Sequence, residues 1–484
     1  MPESYMKTVP FAHQQEALDR SKDERNFALF MEMGTGKSKV ILDNAAYLYE
    51  KGKISGLLII APKGSYRNWV FNEIPTHLAC DHVAAYYTSA PLKHERDSIN
   101  EVYNREERRL KILVMNVEAF SKPKGVKFAD MFLVRNNVIG TMMVVDESTT
   151  IKNTKAKRTK SILNLGRFAD YKRVLSGEPV TRSPEDLYAQ VSFMGAKQLL
   201  GFSSFFAFRA RYCVMETRFL RRGSGTTQFK EVVGYKNLEE LKIKLQDFSC
   251  RVRKIECLDL PPKLYTQRHF ELDTEAKRAY KDLKENMWTA LNGSELVTTP
   301  MVITMLMKLQ QICAGFLSTD DGNIVDISSN RLEVLKEVLE EVEGKAIIWC
   351  IFTHNIRQVT EMLGPQAAAY YGDTSPAERD RIVEEFQILN SDLKYFIGQP
   401  RTGGFGLTLT AAQNVIYFNN SYDLEIRLQS EDRAHRIGQE NQVTYVDIMV
   451  PKTIDEVIFK CLRDKKNLSD SIMNQGWRSI FEGL

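Results

Sequence analysis

The chain has 484 residues, with 66 Lys and Arg against 62 Asp and Glu, and a net charge of +4. Hydrophobic residues make up 43% and charged residues 26%, which are globular values that exclude wholesale disorder. The length predicts two to four domains at roughly 150 residues each, and the near balance of charge confines any basic surface to local patches.

Five short apolar runs open the chain: Phe27–Met31, Leu57–Ile60, Ile112–Met115, Met142–Val145 and Val174–Leu175. They read as buried strands of a parallel sheet, separated by amphipathic stretches such as Lys39–Glu50 that are long enough for crossover helices. The pattern breaks near Ser183, and residues 184–248 read as mostly helical, with an exposed turn at Arg221–Thr227. Leu260-Pro261-Pro262 punctuates the chain, and helical stretches follow at about 274–290 and 301–312. A second set of strands follows Asp320-Asp321-Gly322-Asn323: Ala346–Cys350, Ala367–Tyr371, Tyr395–Ile397, Val415–Phe418 and Val443–Val450. The expected architecture is α/β, two doubly wound, mostly parallel sheets. The expected division is residues 1–258, with a helical insertion at about 184–248, and residues 259–484, with a helical insertion at about 265–320.

Three strings carry chemistry. Glu32-Met33-Gly34-Thr35-Gly36-Lys37-Ser38 joins a strand to a helix. Glycines there let backbone N–H groups approach phosphate oxygens, Lys37 is placed to reach the β/γ-phosphates, and the Ser38 hydroxyl suits Mg²⁺. The full phosphate-loop pattern asks for Gly where Met31 stands, so a Gly-rich turn of no chemical consequence is the competing reading.

Met142-Met143-Val144-Val145 ends in Asp146-Glu147. In nucleotide hydrolases such a strand lies beside the phosphate-loop strand, with Asp146 holding Mg²⁺ and Glu147 orienting the attacking water. A solvated acidic turn is the alternative. Gln429 to Gln439 places Arg433 and Arg436 three apart, on one face of a helical turn. Two guanidinium groups there suit a γ-phosphate gaining charge. A surface helix with charge pairs is the alternative.

Together these residues resemble the Swi2/Snf2 family of superfamily 2 helicase-like ATPases, over about residues 10 to 460 and in the family's motif order. That family also lacks the first phosphate-loop glycine. His13-Gln14 is similar to its adenine-reading glutamine motif, and Ala61-Pro62-Lys63-Gly64-Ser65 with Trp69 to its motif Ia. Asn116-Val117-Glu118 stands at motif Ib, and Asp146-Glu147-Ser148-Thr149 with Ile151-Lys152-Asn153 matches Asp-Glu-Ala-His followed by Leu-Lys-Asn. Ser176-Gly177-Glu178-Pro179 stands for Thr-Gly-Thr-Pro, and Arg401-Thr402-Gly403-Gly404-Phe405-Gly406-Leu407 for motif V. Gln429 to Gln439 matches motif VI, Leu260 to Lys263 an interlobe segment, and Thr453-Ile454-Asp455-Glu456 the closing motif. Tyr212-Cys213 through Leu238 is loosely similar to the annealing-helicase branch.

The departures are Glu178 for Thr, Gln399-Pro400 for Ser-Thr, and Ser148-Thr149 for Ala-His. They put motif III coupling and motif V contacts in question and spare Lys37, Asp146, Glu147, Arg433 and Arg436.

The resemblance implies two RecA-like lobes, ATP and Mg²⁺ as cofactors, and a translocase on double-stranded DNA. It implies nucleotide contacts at Gln14, Met33, Gly34, Thr35, Gly36, Lys37, Ser38 and Gln429, with the metal at Ser38 and Asp146. It implies DNA contacts at Lys63, Ser65, Asn116, Lys152, Arg401 and Gly403. Grip on phosphates makes such binding salt-dependent and largely sequence-independent. Locally, Lys152, Lys155, Lys157, Arg158 and Lys160 form one basic cluster, and Arg209, Arg211, Arg218, Arg221 and Arg222 another; solubilising faces are the alternative.

Two other functions use the same motifs: a strand-separating or strand-annealing helicase acting on single-stranded or forked DNA, and an ATP-gated DNA-binding scaffold without turnover. No apolar run approaches the ~18 residues of a membrane span. Cys80, Cys213, Cys250, Cys257, Cys313, Cys350 and Cys461 include no Cys-x-x-Cys pair, so neither a disulfide framework nor a zinc ribbon is expected. The Met-Pro-Glu-Ser-Tyr start reads as neither a secretory nor a transit peptide. The expectation is an intracellular monomer and minimal motor of bacterial or viral source, cytoplasmic there and nuclear if eukaryotic.

Overall fold

The computed structural model describes the chain except residues 1–3, 105, 137–138, 181–182, 223–224, 293–298, 320, 404–406 and 465–484. It divides into two compact units, Met1–Leu258 and Asp259–Leu484.

The first unit is built on a seven-stranded sheet of β1 (Asn26–Met31), β2 (Gly56–Ala61), β3 (His82–Tyr86), β4 (Leu110–Asn116), β5 (Thr141–Val145), β6 (Tyr171–Leu175) and a later strand, Ser249–Val252. Every pairing in it is parallel, in the order β3-β4-β2-β5-β6-β1 and then Ser249–Val252. Each central strand feeds two cores. Phe27, Leu29 and Met31 join one, while Ala28 and Phe30 join the other. Leu57 and Ile59 are likewise separated from Leu58 and Ile60. A strand buried on both faces has no polar side to show, which is why these segments read as unbroken apolar runs. The five expected strands of this unit are all present. The two unforeseen ones sit at the sheet edges, where β3 alternates buried and half-exposed residues and the four-residue Ser249–Val252 is too short to give a pattern.

Arg173 on β6 locks the helix Ala12–Ser21 onto this sheet. Its fully buried guanidinium donates to the carbonyls of Ser21, Glu24, Arg25 and Lys172 and to Asn44 Oδ1 on the helix Lys37–Glu50. Burial pulls its pKa down to about 9.

The insertion at 184–248 is only partly helical. Helices Asp186–Met194, Ala196–Leu200 and Phe205–Tyr212 are followed by an antiparallel hairpin of β7 (Cys213–Arg222) and β8 (Gly225–Tyr235), with Cys213 opposite Tyr235 and Arg222 opposite Gly225. The sequence there mixes Thr, Val and Phe with charged residues, a pattern that suits a pleated strand more than a helix. Gly223 and Ser224, at the centre of the expected turn, lie outside the described residues. With the hairpin numbered, Ser249–Val252 becomes β9.

The second unit carries a six-stranded, all-parallel sheet in the order β10 (Lys263–His269), β17 (Val443–Met449), β16 (Ala412–Tyr417), β13 (Lys345–Trp349), β15 (Tyr395–Gly398) and β14 (Ala367–Tyr370). The numbers β11 and β12 belong to a small hairpin, Phe316–Ser318 with Ile324–Asp326. Two helices, Thr274–Asn292 and Thr299–Cys313, fill most of the expected insertion at 265–320, but its first five residues belong to β10. This strand lies at the sheet edge with most of its side chains exposed, so it lacks the apolar signature of its neighbours. The doubly wound α/β expectation holds in both units. Among the described residues, no helix is long and apolar enough to cross a membrane.

Candidate nucleotide and nucleic-acid sites

In the first unit the singled-out segments lie at the carboxyl ends of parallel strands, where open α/β sheets bind ligands. Glu32–Gly36 follows β1, Pro62–Ser65 follows β2, Asn116 ends β4, Asp146 follows β5 and Ser176 follows β6. The acidic strand does not adjoin the phosphate-loop strand as expected: β6 runs between β5 and β1. The intervening strand brings the Ser176–Pro179 loop up to the phosphate loop, and a Cβ on Gly177 would stand 3.2 Å from the Met33 nitrogen.

The phosphate loop turns through Gly34 and Gly36, with φ of 76° and 89°. Gly36 caps the helix Lys37–Glu50, and a Cβ there would lie 2.2 Å from Gln14 Nε2. Thr35 N–H and Oγ1–H both donate to Glu32 O, and the Lys37 ammonium, nearly buried, donates to Met31 O at 2.9 Å. Glu32 accepts the Lys254 N–H at 2.9 Å. Ser38 is half-buried in the first helical turn.

The expected adenine-reading Gln14 is buried and occupied within the protein. Its Oε1 accepts the Phe11 N–H and its Nε2 donates to Thr35 O at 3.1 Å. His13 Nε2 bonds the same carbonyl at 2.9 Å, and its ring stacks on Phe11. The motif therefore braces the phosphate loop.

Asp146 Oδ1 accepts the Glu147 N–H at 2.9 Å, and Oδ2 accepts the Trp69 indole N–H at 3.1 Å. Burial raises the Asp146 carboxyl above the ordinary aspartate value, against the pull of the Lys37 ammonium and the Trp69 indole. Glu147 has a left-handed backbone, φ 44° and ψ 61°, and opens the 3-10 turn Ser148–Ile151. Trp69 begins a π-helical turn, Trp69–Glu73, and such turns recur at functional sites. Its sequence match placed it in motif Ia, but nothing in the sequence linked it to Asp146. Gln190, buried on the helix Asp186–Met194, carries no sequence signal that links it to the site.

The expected DNA contacts divide. Lys63 and Arg401 are exposed and Lys152 is half-buried. Ser65 is buried and donates to Pro62 O, and Asn116 accepts the Ala119 N–H, so both shape their own turns. Gly403 is packed so tightly that a Cβ would lie 2.8 Å from the Trp349 ring, while Gly404, Phe405 and Gly406 lie outside the described residues. Lys155, Lys157 and Lys160 are exposed beside the 3-10 turn that follows Asp146-Glu147.

In the second unit the helix Leu424–Glu431 ends before the two arginines, which lie in the turns that follow. They converge on one group: Arg433 Nη1 and Arg436 Nη1 both donate to Leu407 O at 3.0 Å. Arg433 Nε also donates to Gln429 O, and Gln429 Nε2 to Glu425 Oε1. The helix beneath is held by a buried ionic network. Arg427 pairs with Asp447 and with Glu431 at 2.8 Å and stacks on Tyr417, and Glu431 accepts from Lys263 at 3.0 Å and from Tyr265 at 2.8 Å.

Residues 13–315 match the SNF2-related domain family, and residues 330–438 match the helicase conserved C-terminal domain. YwqA of Bacillus subtilis (strain 168) is 27% identical over 464 residues, covering 92% of this chain and 46% of that protein. The human DNA annealing helicase and endonuclease ZRANB3 is 27% identical over 347 residues, 70% of this chain and 30% of its own. The ATP-dependent helicase fft2 of Schizosaccharomyces pombe is 22% identical over 521 residues, 92% and 39%. The chain thus spans less than half the length of these relatives. The structure of a Sulfolobus solfataricus SWI2/SNF2 ATPase core in complex with dsDNA, 23% identical, covers 99% of this chain and 96% of its own at a TM-score of 0.42.

Proposed function

We propose that this chain, which belongs to the SNF2-related family, hydrolyses ATP and couples that hydrolysis to movement along double-stranded DNA, remodelling the DNA or displacing what is bound to it. The observation that carries the reading is the setting of Lys37 and Asp146-Glu147 at the carboxyl ends of strands in one parallel sheet.

In this reading Lys37 exchanges Met31 O for the β/γ-phosphate oxygens, the Thr35 N–H exchanges Glu32 O for them in the same way, and the backbone N–H groups of Met33, Gly34 and Gly36 complete the cradle. The Ser38 hydroxyl and the Asp146 carboxylate are hard oxygen donors that fit Mg²⁺, which when bound neutralises phosphate charge. Glu147 accepts a hydrogen bond from the attacking water and turns it toward the γ-phosphate. Arg433 and Arg436 balance the charge that the γ-phosphate gains. Lys63, Lys152 and Arg401, with the exposed Lys155, Lys157 and Lys160, supply cations for the DNA backbone.

The test is steady-state ATP hydrolysis without DNA, with single-stranded DNA and with duplex DNA, at two salt concentrations. Stimulation by duplex that fades with salt is expected. Absence of turnover with every DNA would sink the reading. The likeness to ZRANB3, a DNA annealing helicase by name, favours a second reading in which the motor rewinds or separates strands. Displacement of a third strand from a triplex, without action on a forked duplex, selects the first over the second.

A further inference from the structure

Gln190 belongs to none of the motifs read from the sequence, yet its fully buried side chain joins two of them. It lies on the helix Asp186–Met194. Its Oε1 accepts the Ser148 hydroxyl at 2.7 Å, and its Nε2 donates to Pro179 O at 2.7 Å and to Asp186 O at 2.9 Å. Two carbonyls need the NH₂, so the amide oxygen faces Ser148, whose hydroxyl is the donor. Ser148 is itself fully buried. Ser148 follows Glu147, and Pro179 closes the loop that Gly177 seats against the phosphate loop.

Glu147 is the reason such a clamp is needed. A left-handed backbone is unfavourable for a residue with a side chain and persists only where its surroundings over-determine it. On its amino side the Glu147 N–H is held by Asp146 Oδ1, and on its carboxyl side Glu147 O accepts the Thr150 N–H at 2.9 Å. The Ser148–Gln190 bond is the fixed point beyond. An apolar side chain at 190 would leave the buried Ser148 hydroxyl without its acceptor and take from Pro179 O the amide donor that ties its loop to the helix. The turn would then be free to relax toward the right-handed region and swing the Glu147 carboxylate away.

We propose that Gln190 is a positioning residue for Glu147: by holding Ser148 and Pro179 at once, it fixes the backbone that aims the Glu147 carboxylate and keeps it in register with the phosphate loop. This rests on the role proposed above for Glu147 as the residue that orients water.

The test uses the full chain with duplex DNA and two variants, Gln190→Met and Ser148→Ala. Each is expected to lower kcat about tenfold or more. KM for ATP and the affinity for a fluorescent ATP analogue should stay within about twofold. The double variant should lose no more than Gln190→Met alone, because the bond that Ser148→Ala breaks is already lost there. Unchanged kcat in both variants would overturn the proposal. So would a raised KM with kcat intact, which would assign the network to the phosphate loop. If Gln190→Met unfolds in the assay range, Ser148→Ala, which removes a single hydroxyl, decides. Absence of turnover in the unaltered chain overturns both this and the proposed function. Turnover lost in Glu147→Gln but intact in the two variants overturns this inference alone.

Discussion

The Trp69 indole donates to Asp146 Oδ2 at 3.1 Å, across 77 residues of sequence, while Asp146 Oδ1 takes the Glu147 N–H. Both carboxylate oxygens therefore have a fixed protein partner, and the directions left for a cation are set by the protein. Donors that hold a ligand's oxygens in this way orient it toward the metal, the role proposed above for Asp146. Trp69→Phe keeps an aromatic ring in a nearly fully buried site and removes the N–H, leaving a small cavity where the larger indole stood. The expected result is a folded protein whose Mg²⁺ requirement for half-maximal ATP turnover rises about tenfold, with a matching loss of Mn²⁺ affinity measured directly. An unchanged metal dependence would reduce Trp69 to a packing role.

Gly36 presents two separate obstacles to a side chain. Its φ of 89° is strained for any L-residue, and a Cβ would meet Gln14 Nε2 at 2.2 Å. Gly36→Ala is expected to weaken nucleotide binding by about tenfold or more, through strain of order 1–3 kcal/mol in the loop. Adding Gln14→Ala removes the clash but leaves the φ, so binding in the double variant should recover only in part. Isothermal titration with a non-hydrolysable ATP analogue separates the two contributions. Full recovery would assign the whole effect to the Gln14 contact.

The parts of this molecule legible in sequence are those whose physics is local. β1, β2, β5 and β13 are buried on both faces and announce themselves as apolar runs, and the phosphate loop announces itself by its glycines. β3 and β10 lie at sheet edges, so their side chains alternate or face water and imitate loops. The hairpin β7–β8 mixes charged and apolar residues in its sequence and lies within a stretch flanked by helices. At the site, residue identity pointed to Lys37 and Asp146, but their partners did not follow from it. The bonds from Trp69 to Asp146 and from Gln190 to Ser148 join positions 77 and 42 residues apart, and only the folded sheet brings them together.

Three substitutions separate binding from turnover. Lys37→Ala should weaken nucleotide binding, because the buried ammonium is the cation assigned to the phosphates. Glu147→Gln should bind ATP and fail to turn it over. Arg436→Ala should spare binding and cost on the order of 10³ in turnover, as loss of an arginine finger does. Because Arg433 shares the Leu407 carbonyl with Arg436, the loop bearing Leu407 keeps one tether in that variant. Normal hydrolysis by Arg436→Ala would remove it from the catalytic set.

The Lys263–Glu431 pair predicts a pH window for the second unit. Burial pushes the Glu431 carboxyl up, but Lys263 and Arg427 outweigh it and hold it below the usual glutamate range. Burial likewise pushes the Lys263 ammonium down, and the Glu431 and Asp432 carboxylates reverse this and leave it above the usual lysine range. The depressed carboxyl stabilises the fold above its ordinary value, and that contribution is lost as pH falls through the folded value. The raised ammonium stabilises below its ordinary value, and that contribution is lost as pH rises through the folded value. Glu431→Gln removes one partner, although Lys263 keeps Asp432 at 3.7 Å and Arg427 keeps Asp447. The cost at neutral pH is expected near the lower end for a broken buried pair, about 3 kcal/mol. The difference in Tm between the unaltered chain and the variant should shrink at both the acid and the alkaline end, because there the unaltered chain loses the same interaction. A difference that stayed constant across pH would mean that Glu431 acts through its hydrogen bonds to Tyr265 and Lys263 rather than through its charge.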